Sequence, residues 1–341
     1  MTDLSAISEF SSNTRPALRS ELENVIAQAG EHGTLGLHEI ISYQMGWTGD
    51  NAGPKAEGKQ LRALFCLLAC QAAGGEWGNA LPAAAAVELI HNFSLIHDDI
   101  EDNGLVRRGR PTVWKVWGEA QAINTGDSMF ALANLSLMNL ANTVSPAAAL
   151  AAGKIFHATC LRLTQGQYLD ISFENQDQVE LETYWQMVGG KTAALLAFSL
   201  ESGSLCAEVT PEIQSHYRDF GHYLGMAFQV QDDILGIWGE EEQTGKSTSG
   251  DLVTRKKTLP VLFGLAQDRE FKKIWSSAEN TAENAPRLAE ILQAEGGRAY
   301  AQSAADRLTD LALTALRLAQ PQGEAGEILQ ETSRKLLQRS N

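Results

Sequence analysis

The sequence contains little cysteine, and its four cysteines are widely spaced. They are Cys66, Cys70, Cys160 and Cys206 in a chain of 341 residues, which is too few for a disulfide framework. Cys66 and Cys70 could be neighbours on a helix, but a zinc site would also need a second pair or a nearby histidine. We therefore expect small core thiols in a reducing, cytoplasmic setting.

Basic charge and long apolar runs are also scarce. Lysine and arginine number 27 against 42 acidic residues, so that the formal net charge is −15. This balance argues against nucleic-acid binding, which needs a basic face that releases counterions from phosphates. No secretory signal and no apolar stretch long enough for an integral membrane segment is visible. A local basic cluster or a metal can still adapt one pocket to a small anion.

Signals for β-strands are absent as well. No run of alternating β-branched residues lies between turns. Apolar residues instead recur with the periodicity of an α-helix, for example in residues 59–75 and 216–238. Loops are expected near residues 48–58, 103–112, 143–147 and 239–251, and none has the character of an interdomain linker. One all-α domain over residues 1–341 is the simplest account.

The first acidic cluster lies in residues 94–112, SLIHDDIEDNGLVRRGRPT, with four acids within five residues and three arginines within four. Asp98, Asp99 and Asp102 form DDxxD and share one helix face. Carboxylates this close resist ionising together unless a cation relieves their repulsion, and Mg²⁺ typically bridges them to substrate phosphates. A solvated helix end is the alternative for this cluster alone. A calcium loop fails because its twelfth position, which needs glutamate, is Arg110.

A second acidic cluster lies in residues 228–240, FQVQDDILGIWGE. Gln229 precedes Asp232 and Asp233 by three and four residues, so all three can share a face. Apolar residues at 220, 224 and 228 indicate a buried helix, and aspartates at its end need a partner or a metal. Two such pairs could clamp several Mg²⁺ ions around a diphosphate.

Candidate cations for a diphosphate are spread along the same span. Arginine offers forked contacts to phosphate oxygens, while lysine acts as a compact point charge. Each one, taken alone, is more often a surface cation, and GGKT lacks the spacing of a nucleotide-binding P-loop. The candidates are Lys59, Arg62, Arg107, Arg108, Lys191 with Thr192, Lys246 and Lys256.

Together and in this order, these motifs resemble the trans-isoprenyl diphosphate synthases, or polyprenyl synthetases. The resemblance covers about residues 58–260 and rests on GKQLR, ELIHNFSLIHDDIED, RRGRPT, GDSMFALA, GQYLD, GGKT, FQVQDD and GKSTSGDLVTRKKTLP. It implies an all-α helical bundle around a deep central cavity, usually as a homodimer. It also implies the condensation of isopentenyl diphosphate with an allylic diphosphate, with three Mg²⁺ ions per active site.

The resemblance also implies roles for individual residues. The metal ligands would be Asp98, Asp102 and Asp232, with Asp99 and Asp233 supporting them. The allylic diphosphate would contact Arg107, Lys191, Thr192, Gln229, Lys246 and Lys256. Isopentenyl diphosphate would contact Lys59, Arg62, His91 and Arg108. The catalytic set would be Lys191, Thr192 and Gln229 together with the three metal ligands.

Three positions depart from the pattern of that family. Gln60 stands where the family often has the arginine of GKR. Gly236 replaces the third acid of the second DDxxD motif, and Glu240 is a candidate for compensating it. Arg255 replaces the glycine that usually precedes the position of Lys256.

The expected product is the twenty-carbon geranylgeranyl diphosphate. Phe93 and Ser94, five and four residues before Asp98, correspond to the family's floor under the growing chain, and one aromatic with one small residue resembles the geranylgeranyl type. An ideal helical wheel nevertheless places Phe93 nearly opposite the acids. The open alternatives are a farnesyl or longer-chain synthase, a class I terpene cyclase, and a non-catalytic subunit of a prenyl synthase.

Overall fold

Helices form nearly all the regular structure of the computed structural model, which describes residues 4–239, 250–277, 281 and 283–337. The predicted all-α class is confirmed. Residues 103–112, predicted as a loop, contain an antiparallel pair of two-residue strands, β1 (Val106–Arg107) and β2 (Arg110–Pro111). No helix in the described ranges has the length and apolar character that crossing a membrane requires.

The helices in these ranges differ widely in length, and the two that carry the acidic motifs have 21 and 28 residues. Three short 3₁₀ turns (Ala27–Gly33, Trp77–Ala80, Asn139–Asn142) and one π-helical turn (Gly189–Ala193) connect some of them. In chain order they are α1 (Leu4–Ile26), α2 (Leu35–Gln44), α3 (Pro54–Glu57), α4 (Leu61–Ala72), α5 (Leu81–Glu101), α6 (Val113–Trp117), α7 (Glu119–Met138), α8 (Pro146–Glu174), α9 (Leu181–Val188), α10 (Ala194–Cys206), α11 (Pro211–Trp238), α12 (Gly250–Val253), α13 (Leu259–Ala266), α14 (Glu270–Ser277), α15 (Ala285–Ala294), α16 (Gly297–Leu318) and α17 (Gly323–Leu337).

The chain divides into two compact units. The first unit comprises Met1–Phe156, Ser199–Gln214 and Pro321–Leu329, and the second comprises His157–Phe198, Ser215–Gln320 and Gln330–Asn341. The single domain over residues 1–341 stays a prediction.

In the first unit, α5 is the central helix and packs against α4 and α7. Pro82 lies in its first turn, where proline is tolerated because its missing N–H would have no helical partner. The alanines at 83–86 are fully buried, and such small side chains let neighbouring helices approach closely. The helix ends at Glu101 and Asp102 is its C-cap residue, so the first acidic motif occupies the last turn and the cap.

The second unit contains the π-helical turn over residues 189–193, whose sequence is GGKTA. Gly190 packs directly against α8, since a Cβ atom there would lie 2.9 Å from the Cα atom of Gly166. π-Helical turns are rare in proteins, and those that occur are often found at functional sites. Here the turn carries Lys191 and Thr192. A core that includes Phe173, Tyr184 and Leu262 packs nearby in the same unit.

Both acidic motifs lie near the C-terminal ends of long helices, α5 and α11. The unpaired carbonyl groups at such an end carry partial negative charge, so carboxylates are disfavoured there, typically by about 0.3–1 kcal/mol each. Aspartates in these positions therefore need cations or hydrogen-bond donors around them.

Candidate active site

In the first motif, one aspartate is buried and its neighbours are more accessible. Asp99 is 4% exposed, whereas Asp98 is half-buried and Asp102 is exposed. Arg107 Nε donates to Asp99 Oδ1 at 2.8 Å, and Arg107 Nη2 lies 3.6 Å from Asp98 Oδ2. Burial raises the pKa of Asp99, and the charge of Arg107 opposes that shift. Arg107 therefore contacts two carboxylates of the first acidic cluster.

A basic cluster of the first unit combines Arg62 of α4, His91 of α5 and Arg108 of the turn between β1 and β2. Arg62 Nη1 lies 3.4 Å from His91 Nε2, and because arginine can only donate, Nε2 is the acceptor. Burial, followed by the charges of Arg62, Arg108 and Arg107, lowers the pKa of His91 well below its usual value. The histidine is therefore neutral. Arg62, His91 and Arg108 influence one another electrostatically, while Lys59 is exposed just before α4. Their binding of isopentenyl diphosphate stays a prediction.

The glycine of GKQLR makes room for Arg108. Arg108 Nη1 donates to the backbone oxygens of Ala56 and Glu57, both at 2.9 Å. Gly58 has φ +76°, and a Cβ atom on it would lie 2.7 Å from the guanidinium carbon of Arg108. Position 58 therefore requires glycine for its backbone conformation and for the approach of the arginine.

Phe93 contacts α7 instead of the side chains around His91. Its ring centroid lies 5.5 Å from that of Phe130 and 4.7 Å from that of His97. This agrees with the helical wheel, which places Phe93 away from the acids. Ser94 Oγ donates to the backbone oxygen of His91 at 2.8 Å.

In the second motif, Asp233 is held by three hydrogen bonds. Its Oδ2 accepts from Tyr184 Oη at 2.7 Å and from the backbone N–H of Leu259 at 2.9 Å. Its Oδ1 accepts from Gln229 Nε2 at 3.1 Å. Burial raises the pKa of Asp233 to about 6, although Lys256 and these donors oppose the shift. Asp233 therefore has a structural role, because its carboxylate is occupied by these hydrogen bonds. The exposed Asp232 is the accessible carboxylate of the pair.

A chain of hydrogen bonds fixes the orientation of Gln229. Thr192 Oγ1 donates to Gln229 Oε1 at 2.8 Å, and the amide nitrogen of Gln229 is engaged by Asp233. Lys191 forms an ion pair with Asp170 of GQYLD. The second unit therefore brings together three of the predicted catalytic residues, Lys191, Thr192 and Gln229.

Lys256 lies among carboxylates of the second unit. Burial alone would lower its pKa, but the charges of four aspartates outweigh this effect and raise the pKa above its usual value. In order of influence they are Asp233, Asp251, Asp170 and Asp232. The other predicted lysine, Lys246, lies outside the described residues, as does Glu240.

Arg255 adopts the backbone conformation that a glycine would favour. Its φ is +56°, in the left-handed region. The side chain is anchored on Trp275, whose ring centroid is 4.8 Å from the guanidinium carbon and whose backbone oxygen accepts from Arg255 Nη2 at 2.9 Å. These contacts offset the strain of an L-residue at this position.

Sequence reasoning missed four residues of these clusters: Glu88, Asp170, Tyr184 and Asp251. Asp170 and Asp251 lie in the quoted motifs GQYLD and GKSTSGDLVTRKKTLP, so the motifs themselves carried the signal. Glu88 lies in ELIHNFSLIHDDIED, ten residues before Asp98. No sequence signal distinguished Tyr184, because its role depends on contact with Asp233.

The accessible carboxylates fit a hard cation that arrives with a phosphate. Within the described ranges, no three acidic, histidine or cysteine side chains are grouped so as to hold a metal by themselves. Asp98 and Asp102 in the first unit, and Asp232 in the second, each offer oxygen ligands, which suit Mg²⁺. Mg²⁺ commonly completes its coordination with water and substrate phosphate oxygens, so the accessible carboxylates of each unit are compatible with a diphosphate-bound ion.

Comparisons with known proteins converge on one family. The profile of the family described as "Polyprenyl synthetase" matches residues 51–294. A (2E,6E)-farnesyl diphosphate synthase of Mycobacterium tuberculosis strain H37Rv is 38% identical over 281 residues, covering 80% of this chain and 77% of the relative. A geranylgeranyl diphosphate synthase of the same strain is 37% identical over 305 residues, with coverages of 87% and 86%. The crystal structure of a polyprenyl synthetase from Streptomyces coelicolor A3(2) superposes with a TM-score of 0.86 at 32% identity and covers 98% of this chain and all of that one.

Proposed function

The chain belongs to the polyprenyl synthetase family of prenyltransferases, and from this premise we propose that it makes geranylgeranyl diphosphate. The reaction elongates an allylic diphosphate with isopentenyl diphosphate and depends on Mg²⁺. Relatives are named as both farnesyl and geranylgeranyl synthases, so the twenty-carbon product rests on Phe93 and Ser94.

The observation that carries the proposal is a group of two arginines and a histidine. Arg62, Arg108 and the neutral His91 form a basic cluster of the first unit that suits an anion, and Arg107, which pairs with Asp98 and Asp99, adds its charge to this cluster. A prenyl condensation needs such a site for the second diphosphate, whereas a terpene cyclase has no second diphosphate to bind.

The residues would divide the work between ionisation and attack. Asp98, Asp102 and Asp232 would hold Mg²⁺, which supplies charge stabilisation for the departing diphosphate. Lys191, Lys256, Arg107 and Lys246 would provide further cations on the same allylic group. Thr192 and Gln229, already oriented by their mutual hydrogen bond, would direct oxygen dipoles towards the carbocation.

Isopentenyl diphosphate would bind through Lys59, Arg62, His91 and Arg108. His91, held neutral by burial and by the arginines, would contribute a hydrogen-bonding group and no charge. Once the allylic group has ionised, the double bond attacks and a proton leaves to the released diphosphate, as in the family. Exclusion of water protects the carbocation.

Phe93 supports the short-chain product because it lies in an aromatic group with Phe130 and His97. Packed aromatic rings form a barrier to a growing apolar chain, because displacing them would lose the free energy of their packing. The small Ser94 beside Phe93 offers no second aromatic barrier, which favours twenty carbons over fifteen.

The enzyme is further proposed to be a cytoplasmic homodimer. In the second unit, α8 exposes Leu161, Tyr168 and Ile171, which recur at helical spacing. An exposed apolar stripe of this kind is typical of an interface. All four cysteines are free and buried, as expected for a reducing compartment.

The proposal is tested by incubating the protein with labelled isopentenyl diphosphate, Mg²⁺ and, separately, dimethylallyl, geranyl or farnesyl diphosphate. The products are dephosphorylated and separated by length. A twenty-carbon alcohol is the expected result, with loss of activity on chelation. A fifteen-carbon or much longer product would overturn the length assignment, and a cyclic hydrocarbon would identify a cyclase. No incorporation from any primer would overturn the synthase itself.

A further inference from the structure

A buried carboxylate lies beneath the basic cluster of the first unit. Glu88 is 1% exposed on α5, one turn before His91 and Asn92. Its Oε1 accepts from Asn92 Nδ2 at 3.0 Å. Its Oε2 is buried and has no hydrogen-bond partner among the residues that the structure describes.

The charges around Glu88 are positive. Burial raises the pKa of Glu88. Four groups oppose this shift, and in decreasing order of effect they are the charges of Arg108 and Arg62, the hydrogen bond from Asn92 and the charge of Arg15. These groups come from the turn after β1, from α4, from α1 and from α5 itself, and the neighbouring His91 is neutral. Glu88 is therefore a buried carboxyl group under the electrostatic influence of three arginines, and the contacts seen here include no direct ion pair with any of them.

Arg62 contains the complementary unmatched atom. Its Nε is buried and lacks a hydrogen-bond partner in the described part of the chain, while its Nη1 is directed to His91. A charged donor and a charged acceptor are thus both left unsatisfied in one buried cluster. Buried polar groups without partners are uncommon because their desolvation is not repaid.

We propose that Glu88 is a positioning residue for the diphosphate of isopentenyl diphosphate, acting through Arg62 and Arg108. This inference rests on the proposed function, because it takes the anion at these arginines to be isopentenyl diphosphate. The carboxylate reduces the repulsion between two half-buried guanidinium groups and holds them on the ligand side of α5. It does not touch the substrate.

Simple attraction and positioning predict opposite effects when the charge of Glu88 is removed. Glu88→Gln keeps the shape of the side chain but makes the site more positive, so attraction alone would bind an anion more tightly. If Glu88 positions the arginines, the same variant binds the anion more weakly, because a neutral amide does not relieve their repulsion and replaces one acceptor oxygen with a donor NH₂ group.

The decisive experiment compares wild type with Glu88→Gln and Glu88→Asp. The expected result for the glutamine variant is a KM for isopentenyl diphosphate raised roughly tenfold or more. The KM for the allylic substrate and kcat should each change by less than about threefold, and Glu88→Asp should restore most of the affinity. Glu201→Gln is the matched control, since Glu201 is another buried glutamate of the first unit that bonds to Gln214.

A pH series separates positioning from a general loss of structure. In the wild type, lowering the pH protonates Glu88, so the KM for isopentenyl diphosphate should rise towards that of Glu88→Gln and the two should converge. Guanidinium groups stay charged throughout such a series, and the ionisation of the substrate is common to both proteins. If the ratio of the KM for isopentenyl diphosphate in Glu88→Gln to that in the wild type does not change with pH, the inference is contradicted.

The inference is overturned if Glu88→Gln leaves the KM for isopentenyl diphosphate unchanged, lowers it, or raises both KM values equally. If the glutamine variant does not fold, the wild-type pH series decides, because the KM for isopentenyl diphosphate should rise as Glu88 becomes protonated and a KM that does not rise contradicts the inference. Failure of wild type to incorporate isopentenyl diphosphate would overturn the proposed function, and that outcome is seen before any variant is made.

Discussion

The carboxylate of Asp251 lies against the Cα atom of Gly236. A Cβ atom on Gly236 would lie 2.6 Å from Asp251 Cγ, closer than real side chains approach one another. Gly236 stands where the family has the third acid of the second motif. In this chain the space beside that position contains an acid from another segment, and the glycine is what admits it.

Restoring the family's acid with Gly236→Asp should therefore impair the enzyme. The new side chain must displace Asp251 and disturb Lys256, and overpacking of this kind costs about 1–3 kcal/mol. We expect a lower urea midpoint and a higher Mg²⁺ requirement for turnover. Gly236→Ala should act in the same direction. Gly153→Ala, at a helical glycine with nothing within 4 Å, is the control and should be neutral or stabilising. Improved activity of Gly236→Asp would contradict this interpretation.

Gly58→Ala should weaken the binding of isopentenyl diphosphate by moving Arg108. The added Cβ atom clashes with the guanidinium group, so the KM for this substrate should rise at least several-fold. The positive φ adds about 1–2 kcal/mol of backbone strain. Gly33→Ala separates the two effects, because Gly33 has φ +86° but no neighbour within 4 Å. Equal KM values for the two variants would show that strain alone is responsible.

Phe93→Ala should lengthen the product beyond twenty carbons. Removing the ring opens the aromatic group formed with Phe130 and His97, and the variant should lose about 3–5 kcal/mol of stability if the site does not collapse. Product length is read by chromatography after dephosphorylation. Phe263→Ala removes a ring stacked on Tyr300 in the second unit and should leave the length unchanged. An unaltered product from Phe93→Ala would exclude Phe93 as the floor.

Tyr184→Phe should shift the acid limb of the pH–rate profile to higher pH. The tyrosine donates to the ionised form of Asp233, so its loss raises the pKa of Asp233 further above the value of about 6. Because Asp233 holds Gln229, kcat/KM for the allylic substrate should fall at lower pH. The cost in stability should be about 1 kcal/mol. Tyr300→Phe, which keeps the ring that stacks on Phe263, should change neither quantity.

The four cysteines should be unreactive in the native protein. Burial raises the pKa of Cys66, Cys70 and Cys160 to about 12 and that of Cys206 even further, so few thiolates exist at neutral pH. Ellman's reagent should modify all four only after denaturation. Rapid modification of the native enzyme would place a thiol at an accessible surface.

Much of the candidate site was predictable because its motifs are local. Helical spacing placed Asp98, Asp99 and Asp102 together, and the same argument joined Gln229 to Asp233. The pattern Lys191-Thr192 gave no indication of a π-helical turn. That turn forms where Gly190 packs against Gly166, a contact between residues far apart in the chain.

The sequence by itself determined the all-α class, the two acidic motifs and the supply of cations, because helical periodicity and residue type are properties of short segments. Tertiary packing alone decided which aspartate of each pair is buried, that Arg107 pairs with Asp99, and that Asp251 occupies the space beside Gly236. These contacts join residues whose distance depends on how helices pack against one another. Spacing along a chain carries no such information, since packed side chains are matched by shape and charge in three dimensions.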